Sequence, residues 1–313
     1  YWKVIYTLNS CSFTVKHSLK YKYNKTNTMK KYIFLTLKFF YKQIRKKISL
    51  MRYYMISNDD LLTKIAAKTI MECVKISDGR KTYVIGAVLG CLQLRKIGLK
   101  KATIIEFGVA RGEGLIALIN ISKIISKNFK IEVEVIGFDN RTGLPELKAS
   151  YKDHPEIWSL REFEMGNSYT FLNQVVKNNN QKLIIGDIEE TLKKYKLDND
   201  STLAFVSVDV DLYSSTKPIL EWINTLSDEQ LLPATPIYFD DVLNMFTFSE
   251  YAGEGLAINE FNEKNKLKKI ELKDRDLKLY ALQNFNSPFR TGVKKTLHPL
   301  NIFIDQLKAF YWA

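Results

Sequence analysis

The residues best spaced for chemistry lie in one stretch, Glu106-Phe107-Gly108-Val109-Ala110-Arg111-Gly112-Glu113-Gly114. Apolar Ile104-Ile105 runs into Glu106, and three glycines follow in the pattern E-x-G-x-x-x-G-x-G. Glycine takes left-handed backbone angles and lets a ligand come close. A helix-like run from Leu115 to Ile125 comes next, and a helix start offers unpaired N–H groups and partial positive charge. A buried strand, a glycine turn and a helix N-terminus together form a pocket for a nucleotide-like ligand. The spacing is not the G-x-G-x-x-G of a dinucleotide site. An acid two residues ahead of the first glycine repels a pyrophosphate and suits a cation. S-adenosyl-L-methionine (SAM), with its sulfonium and ammonium groups, is such a ligand. Glu106, Gly108, Arg111, Gly112 and Gly114 are therefore the cofactor-binding candidates of this stretch; the alternative is an ordinary strand-to-helix turn with flexible glycines.

Further acids recur at the ends of the apolar runs that follow: Asp139, then Asp187, then Asp209 and Asp211, then Asp240 and Asp241. In open α/β sheets ligands bind beyond the carboxyl ends of the strands. Asp139 suits the two hydroxyls of a ribose, because a carboxylate accepts two hydrogen bonds. Asp187 suits the adenine amino group or neighbouring backbone. Asp209, Asp240 and Asp241 come from two strands expected to be adjacent, and clustered carboxylates repel unless protons or a cation neutralise them. A hard divalent ion, Mg²⁺ or Mn²⁺, is the natural partner. It would hold a substrate hydroxyl and lower its pKa. Without it, Asp209 is the candidate base. His154 is a weaker catalytic candidate, read as a surface residue. Capping of the following helices is the bland account of any one of these acids, and five strand ends in succession speak against it.

The elements that must place these groups alternate along the chain. Ser57-Asn58-Asp59-Asp60 reads as a helix start, with Leu61, Leu62, Ile65, Ala66, Ile70, Cys73 and Val74 on one helical face. A second helix spans Thr82 to Lys96, stops at Gly98 and is apolar nearly all round, so it is buried. Strands follow over Ile131–Asp139, Lys182–Asp187, Thr202–Asp211 and Thr235–Asp241. Helices are read at Glu189–Tyr195, Ser214–Leu226 and Glu254–Lys264, and two closing strands at Leu267–Leu272 and Lys278–Phe285. Strands alternating with helices argue a parallel sheet covered on both faces. The last two strands have no helix between them, so one runs antiparallel. Residues 140–180 show no strand pattern and read as an inserted cap over the strand ends.

The 313 residues carry a formal charge of +13, but residues 1–60 hold 13 Lys/Arg against 2 Asp/Glu. The basic character thus belongs to an arm over residues 1–50, with N-terminal helices at 51–100, the catalytic domain at 101–286 and an aromatic tail at 287–313. The arm is read as a solvated tail with weak membrane-surface contact, and no specific nucleic acid is expected. The first Met is Met29, and residues 1–28 are read as upstream read-through or the tail of a longer chain. The arm's Tyr32–Tyr41 run reads either as an interfacial helix or as a helix that packs on the domain or on a second subunit, and the aromatic tail as packing on the domain or on a second subunit. Cys11, Cys73 and Cys91 are odd in number without CxxC spacing, which points to a reducing, cytoplasmic compartment and no structural zinc. His17, His154 and His298 are too scattered for a histidine metal site. No apolar run reaches the roughly 20 residues of a membrane span.

With these residues in view, the chain resembles the class I SAM-dependent methyltransferases, specifically the macrocin O-methyltransferase (TylF/MycF-like) group and its relatives. The resemblance is carried by Glu106 to Gly112, Gly137-Phe138-Asp139 with Gly143-Leu144-Pro145-Glu146, and Ile185-Gly186-Asp187 with Glu190-Thr191-Leu192. It continues through Val208 to Thr216, Tyr238-Phe239-Asp240-Asp241, and Glu254 to Asn262. It implies a Rossmann-like, doubly wound, seven-stranded sheet in the order 3-2-1-4-5-7-6 with strand 7 antiparallel. It implies SAM over the first three strands, with Glu106, Gly108 and Gly112 at the methionine part, Asp139 at the ribose and Asp187 at the adenine side. It also implies Mg²⁺ ligands at Asp209, Asp240 and Asp241. Two features depart from the group: Asp209-Val210-Asp211 stands where it has Asp-Gly-Asp, and the 146–170 insert is unlike the macrolide-sugar enzymes. The function expected is O-methylation of a hydroxyl on a small molecule or sugar. The rivals are a nicotinamide-dependent oxidoreductase on a similar sheet and a non-catalytic SAM-binding or scaffold protein.

Overall fold

A computed structural model describes residues 61–77, 79–147, 150–242 and 249–290. The basic arm, the helix start at Ser57, Cys11, His17, His298 and all but the first four residues of the aromatic tail lie outside them. The described chain runs α1 (Leu61–Val74), α2 (Lys81–Lys96), β1 (Lys101–Phe107), α3 (Glu113–Phe129) and β2 (Glu132–Asp139). A short 3-10 turn at Ser150–Asp153 precedes α4 (Ser168–Asn178), β3 (Lys182–Ile185), α5 (Ile188–Lys194) and β4 (Thr202–Val208). The chain continues with α6 (Tyr213–Thr225), β5 (Ala234–Phe239), α7 (Gly253–Lys264), β6 (Lys268–Asp274) and β7 (Leu279–Asn284).

The strands form one sheet in the order β3-β2-β1-β4-β5-β7-β6. The first five strands in chain order are parallel, and β7 is antiparallel to both β5 and β6. This is the expected topology. Parallel strands are buried on both faces, so they read as continuous apolar runs, and every residue of β4 is buried. Side chains alternate across the sheet. Ile105, Phe107, Ile136, Phe138, Val206 and Val208 pack with α5, α6 and α7. On the opposite face α2 sits so close to β4 that a Cβ on Gly90 would lie 1.7 Å from the Ala204 carbonyl oxygen.

Two readings are corrected. The apolar face of α1 is rotated from the expected one: Ala66, Ala67, Ile70 and Cys73 are buried with Thr63 and Thr69, while Leu61 is exposed. The expected insert over 140–180 is shorter, because Ser168–Asn178 is the crossover helix between β2 and β3. Only Leu172 and Val176 of that helix are buried, although Phe171, Leu172, Val175 and Val176 fall at helical spacing in the sequence, a stripe that the reading of an insert passes over.

Ladder bonds carry the strand ends to one level. The Gly108 amide donates to the Phe138 carbonyl, Gly186 to Asp139, Asp209 to Phe107 and Asp240 to Val208, at 3.0, 3.0, 3.0 and 3.2 Å. The chain leaves the sheet at this row, which brings the glycine turn and the strand-end acids to a single edge.

Candidate functional site

At that edge lies a cavity of about 420 Å³. Gly108, Ala110, Asp139, Asn140, Gly186 and Asp187 line one half, and Asp209, Val210, Asp211, Asp240, Asp241, Ser214 and Ser215 line the other. The segments 140–147 and 150–167 form a strap beside it and supply Leu144, Pro145, Trp158, Glu162 and Phe163 to its lining. One end is tied to the β2 exit, where the Leu144 amide donates to the Glu162 carbonyl (2.8 Å) and the Arg161 amide to the Leu144 carbonyl (2.9 Å). The other end is tied to the helices after β4 and β5. The Ser214 amide donates to Asp153 Oδ1 (2.7 Å), and Lys152 pairs with Glu260 (2.9 Å).

The glycine turn is built by Asp139. Its Oδ2 accepts from the amides of Val109 and Ala110, both at 2.9 Å, and its Oδ1 accepts from the Arg141 amide at 2.5 Å. Gly108 and Gly112 take φ of +83° and +92°. A Cβ on Gly108 would lie 1.7 Å from the Asp209 carbonyl oxygen, so this glycine lets the turn lie against the β4 exit. Asp187 caps α5, accepting from the amides of Glu189 (3.0 Å) and Glu190 (3.2 Å), and also faces the cavity.

Not every expected residue of the turn reaches the cavity wall. Arg111 is exposed and Gly112 packs under Leu172, where a Cβ would meet the side chain at 2.0 Å. Gly114 leaves room for the Glu106 carboxylate, since its Cβ would lie 1.8 Å from Oε1. Glu106 lies beneath the turn, 2 % exposed, and its Oε2 has no hydrogen-bond partner. Its Oε1 accepts from the Tyr83 hydroxyl (2.9 Å), which in turn accepts from Ser207 Oγ (2.8 Å). Burial, offset by the Tyr83 bond, pushes its carboxyl up to about 8.

The acids of the second half do converge. Burial and the charges of Asp240 and Asp241 push Asp209 up to about 7, against the lowering effect of Arg80 and Lys278. Asp211, at φ +61°, is buried and hydrogen-bonded to Asp241; burial and that bond push it up to about 10. Asp240 is held by Lys278 Nζ at 2.9 Å and by the Tyr238 hydroxyl. The Asp241 amide donates to Glu254 Oε2 (3.1 Å), and burial raises the Glu254 carboxyl well above its ordinary value. Among the described residues no group of three His, Cys, Asp or Glu could hold a metal ion. At Asp240 both the Lys278 ammonium and the Tyr238 phenol bond the same oxygen, Oδ1.

His154 is not the surface residue expected. It is 8 % exposed, with Nδ1 bonded to Glu156 Oε1 (2.8 Å) and its ring against Gly253, and it is not among the residues lining the cavity. Sequence reasoning missed Tyr83, Arg80 and Lys278. Each comes from an element remote in sequence from the acid it faces, and no spacing signals such a pair. It also missed Trp158, Glu162 and Phe163, which line the cavity from the strap. The described lining holds eight carboxylates (Asp139, Glu162, Asp187, Glu189, Asp209, Asp211, Asp240 and Asp241) and no Lys or Arg.

The sheet order and this edge site define a Rossmann-like fold of the methyltransferase type. The crystal structure of CalS11, a calicheamicin methyltransferase, superposes with a TM-score of 0.50 at 19 % identity, covering 72 % of this chain and 94 % of that one. The O-methyltransferase TomG from Streptomyces achromogenes, solved with SAM, matches at 11 % identity over 76 % of this chain and 96 % of its own, with a TM-score of 0.36. No protein-family model matches the chain, and no curated protein matches it by sequence. No helix among the described residues is long and apolar enough to cross a membrane.

Proposed function

We propose that this chain is a SAM-dependent methyltransferase that methylates a hydroxyl of a small molecule or sugar, in the manner of the macrocin group. One observation carries the choice of cofactor. A wall of eight acidic side chains, negative even with Asp209 and Asp211 protonated and with no Lys or Arg in its described lining, suits a sulfonium cation and repels the pyrophosphate of a nicotinamide dinucleotide. The volume lies within the range of roughly 300–1,000 Å³ of small-molecule sites. Acids at the ends of β2, β3, β4 and β5 speak against a decayed scaffold.

SAM, when bound, supplies a methyl carbon on a positively charged sulfur that leaves as a neutral thioether. The residues of the chain hold and orient. Asp139 and Asp187 face the half assigned to ribose and adenine. Glu106 fixes the floor under the methionine part through Tyr83 and Ser207. Alignment of acceptor and methyl is the main catalytic contribution. The acceptor oxygen forms the new bond to carbon, and its proton passes to Asp209. A base poised near neutral pH is well matched to that task, and Asp209 sits at about 7.

Mg²⁺ assistance is the second reading. It is favoured by the excess of acids over the two cations, Arg80 and Lys278, that act on Asp209. Asp209, Asp240 and Asp241 would be the ligands, and Asp240 would have to release Lys278. The residues as placed do not form such a site, and protonation of Asp209 and Asp211 relieves the same repulsion. The function is tested by isothermal titration of S-adenosylhomocysteine (SAH), SAM and NAD into the full chain. Binding of SAM and SAH without NAD supports the reading, and binding of NAD alone overturns it.

A further inference from the structure

Phe163 is 57 % exposed although it lines the cavity. Its place is set by backbone bonds rather than by its own packing. The Glu162 carbonyl, one residue earlier, accepts from the Leu144 amide at 2.8 Å, and the Met165 amide donates to the Arg141 carbonyl at 3.2 Å. These bonds tie residues 162–165 to the segment that leaves β2 directly after Asp139. In the sheet β2 lies between β1 and β3, whereas β4 and β5 lie beyond β1. Phe163 therefore belongs to the half of the cavity walled by Asp139, Gly186 and Asp187, and not to the half walled by Asp209 and Asp241. Its neighbour Trp158, also in the lining, meets it edge to face with ring centroids 6.2 Å apart.

We infer that Phe163 is the stacking face for the adenine of SAM, with Trp158 as the positioning residue that sets the angle of its ring; this rests on the methyltransferase reading above. An exposed apolar ring inside a cavity is surface that a planar ligand covers, and base–aromatic stacking is selective for a π-face without reading hydrogen bonds. The strap then does more than border the site. It adds to the cavity lined by Gly186, Asp187 and Ile188 an aromatic wall, which the glycine turn and strand-end acids do not supply.

The test is isothermal titration of SAH into the full-length protein, its Phe163→Ala and Phe163→Tyr variants, and Trp158→Ala beside Trp158→Phe. Phe163 is exposed, so its loss leaves the fold intact, which thermal melting checks. Phe163→Ala weakens SAH about tenfold, while Phe163→Tyr stays within about twofold of the wild type because the ring is kept. Trp158→Ala weakens SAH less, and Trp158→Phe restores it. Unchanged SAH affinity in Phe163→Ala overturns the inference while the methyltransferase reading stands. Equal loss in Phe163→Ala and Phe163→Tyr also overturns it. No binding of SAM or SAH by the wild type overturns both.

Discussion

The Tyr83 hydroxyl donates to Glu106 Oε1 at 2.9 Å in a space closed to solvent, joining helix α2 to the end of strand β1 under the glycine turn. The pair has a consequence for stability. Burial raises the Glu106 carboxyl from 4.5 to about 8, so between those values the folded chain holds a proton that the unfolded chain has released. The contribution of this group is fully present below the lower value and is lost as pH rises through the upper one. Urea unfolding at about pH 6 and about pH 9 checks this. The wild type loses more stability at the higher pH than Glu106→Gln, which has no proton to lose. An equal loss in both would show that Glu106 is not the titrating group.

Gly108→Ala should damage the fold and the site together. The added Cβ would lie 1.7 Å from the Asp209 carbonyl oxygen at a φ of +83°, and backbone atoms on both sides leave little room to yield. A loss of at least about 2 kcal/mol is expected from such a clash at a left-handed position, with SAH affinity lost alongside. Chemical denaturation and titration read the two effects. A variant as stable as the wild type would mean that the turn can move away from β4.

Asp139 has two duties that substitution separates. Its carboxylate holds three amides of the turn and is assigned to the ribose. Asp139→Ala leaves the amide of buried Val109 unpaired, at about 1–3 kcal/mol, and frees those of half-buried Ala110 and exposed Arg141 to water, so both stability and SAM binding fall. Asp139→Asn keeps one carbonyl oxygen for the turn, holds more stability and still weakens SAM. Wild-type SAM affinity in the Asn variant would remove Asp139 from the ribose and leave it as the builder of the turn.

The Asp209 base predicts a pH profile. As pH rises through about 7 the carboxylate form builds up, so kcat/KM with a true acceptor rises through that region and levels off above it. Asp209→Asn flattens the profile and slows transfer by roughly 10²–10⁴-fold, the usual worth of a general base. Activity persists in EDTA under this reading. Loss of activity in EDTA, its return with Mg²⁺, and heat on titrating Mn²⁺ into the wild type but not Asp209→Asn would replace it with the metal reading.

A chain shortened to begin at Met51 should fold and bind SAH. The sheet, its flanking helices and the cavity lining are all built from residues between 61 and 290. Circular dichroism melting and SAH titration against the full chain check it. A shortened chain that aggregates or loses SAH would assign residues 1–50 a structural part.

Much of the fold was legible because its signals are local and redundant. Apolar strands ending in acids, alternating with helices, leave few topologies open; the strand order and the antiparallel β7, which the resemblance implied, both match. The helix over Ser168–Asn178 was passed over, although Phe171, Leu172, Val175 and Val176 mark one face of it, because only two of its eleven residues end up buried and the segment reads as an insert. Of the candidate site, the strand-end acids and Gly108 were readable from position alone. Trp158 and Phe163 were visible as aromatics of an insert, but nothing in their spacing says that Glu162 ties back to Leu144.

The sequence by itself determined the order of elements, the glycine turn and the row of acids at one edge of the sheet, because periodicity and strand ends are written residue by residue. Only the tertiary structure decided what each acid is free to do. Asp139 is engaged by its own turn, and Asp240 by Lys278, a residue 38 positions later. Asp209 is left near neutrality by burial beside Asp240 and Asp241. Charge, burial and hydrogen-bond occupancy depend on which residues the fold brings within a few ångströms, and those partners are far apart in the chain.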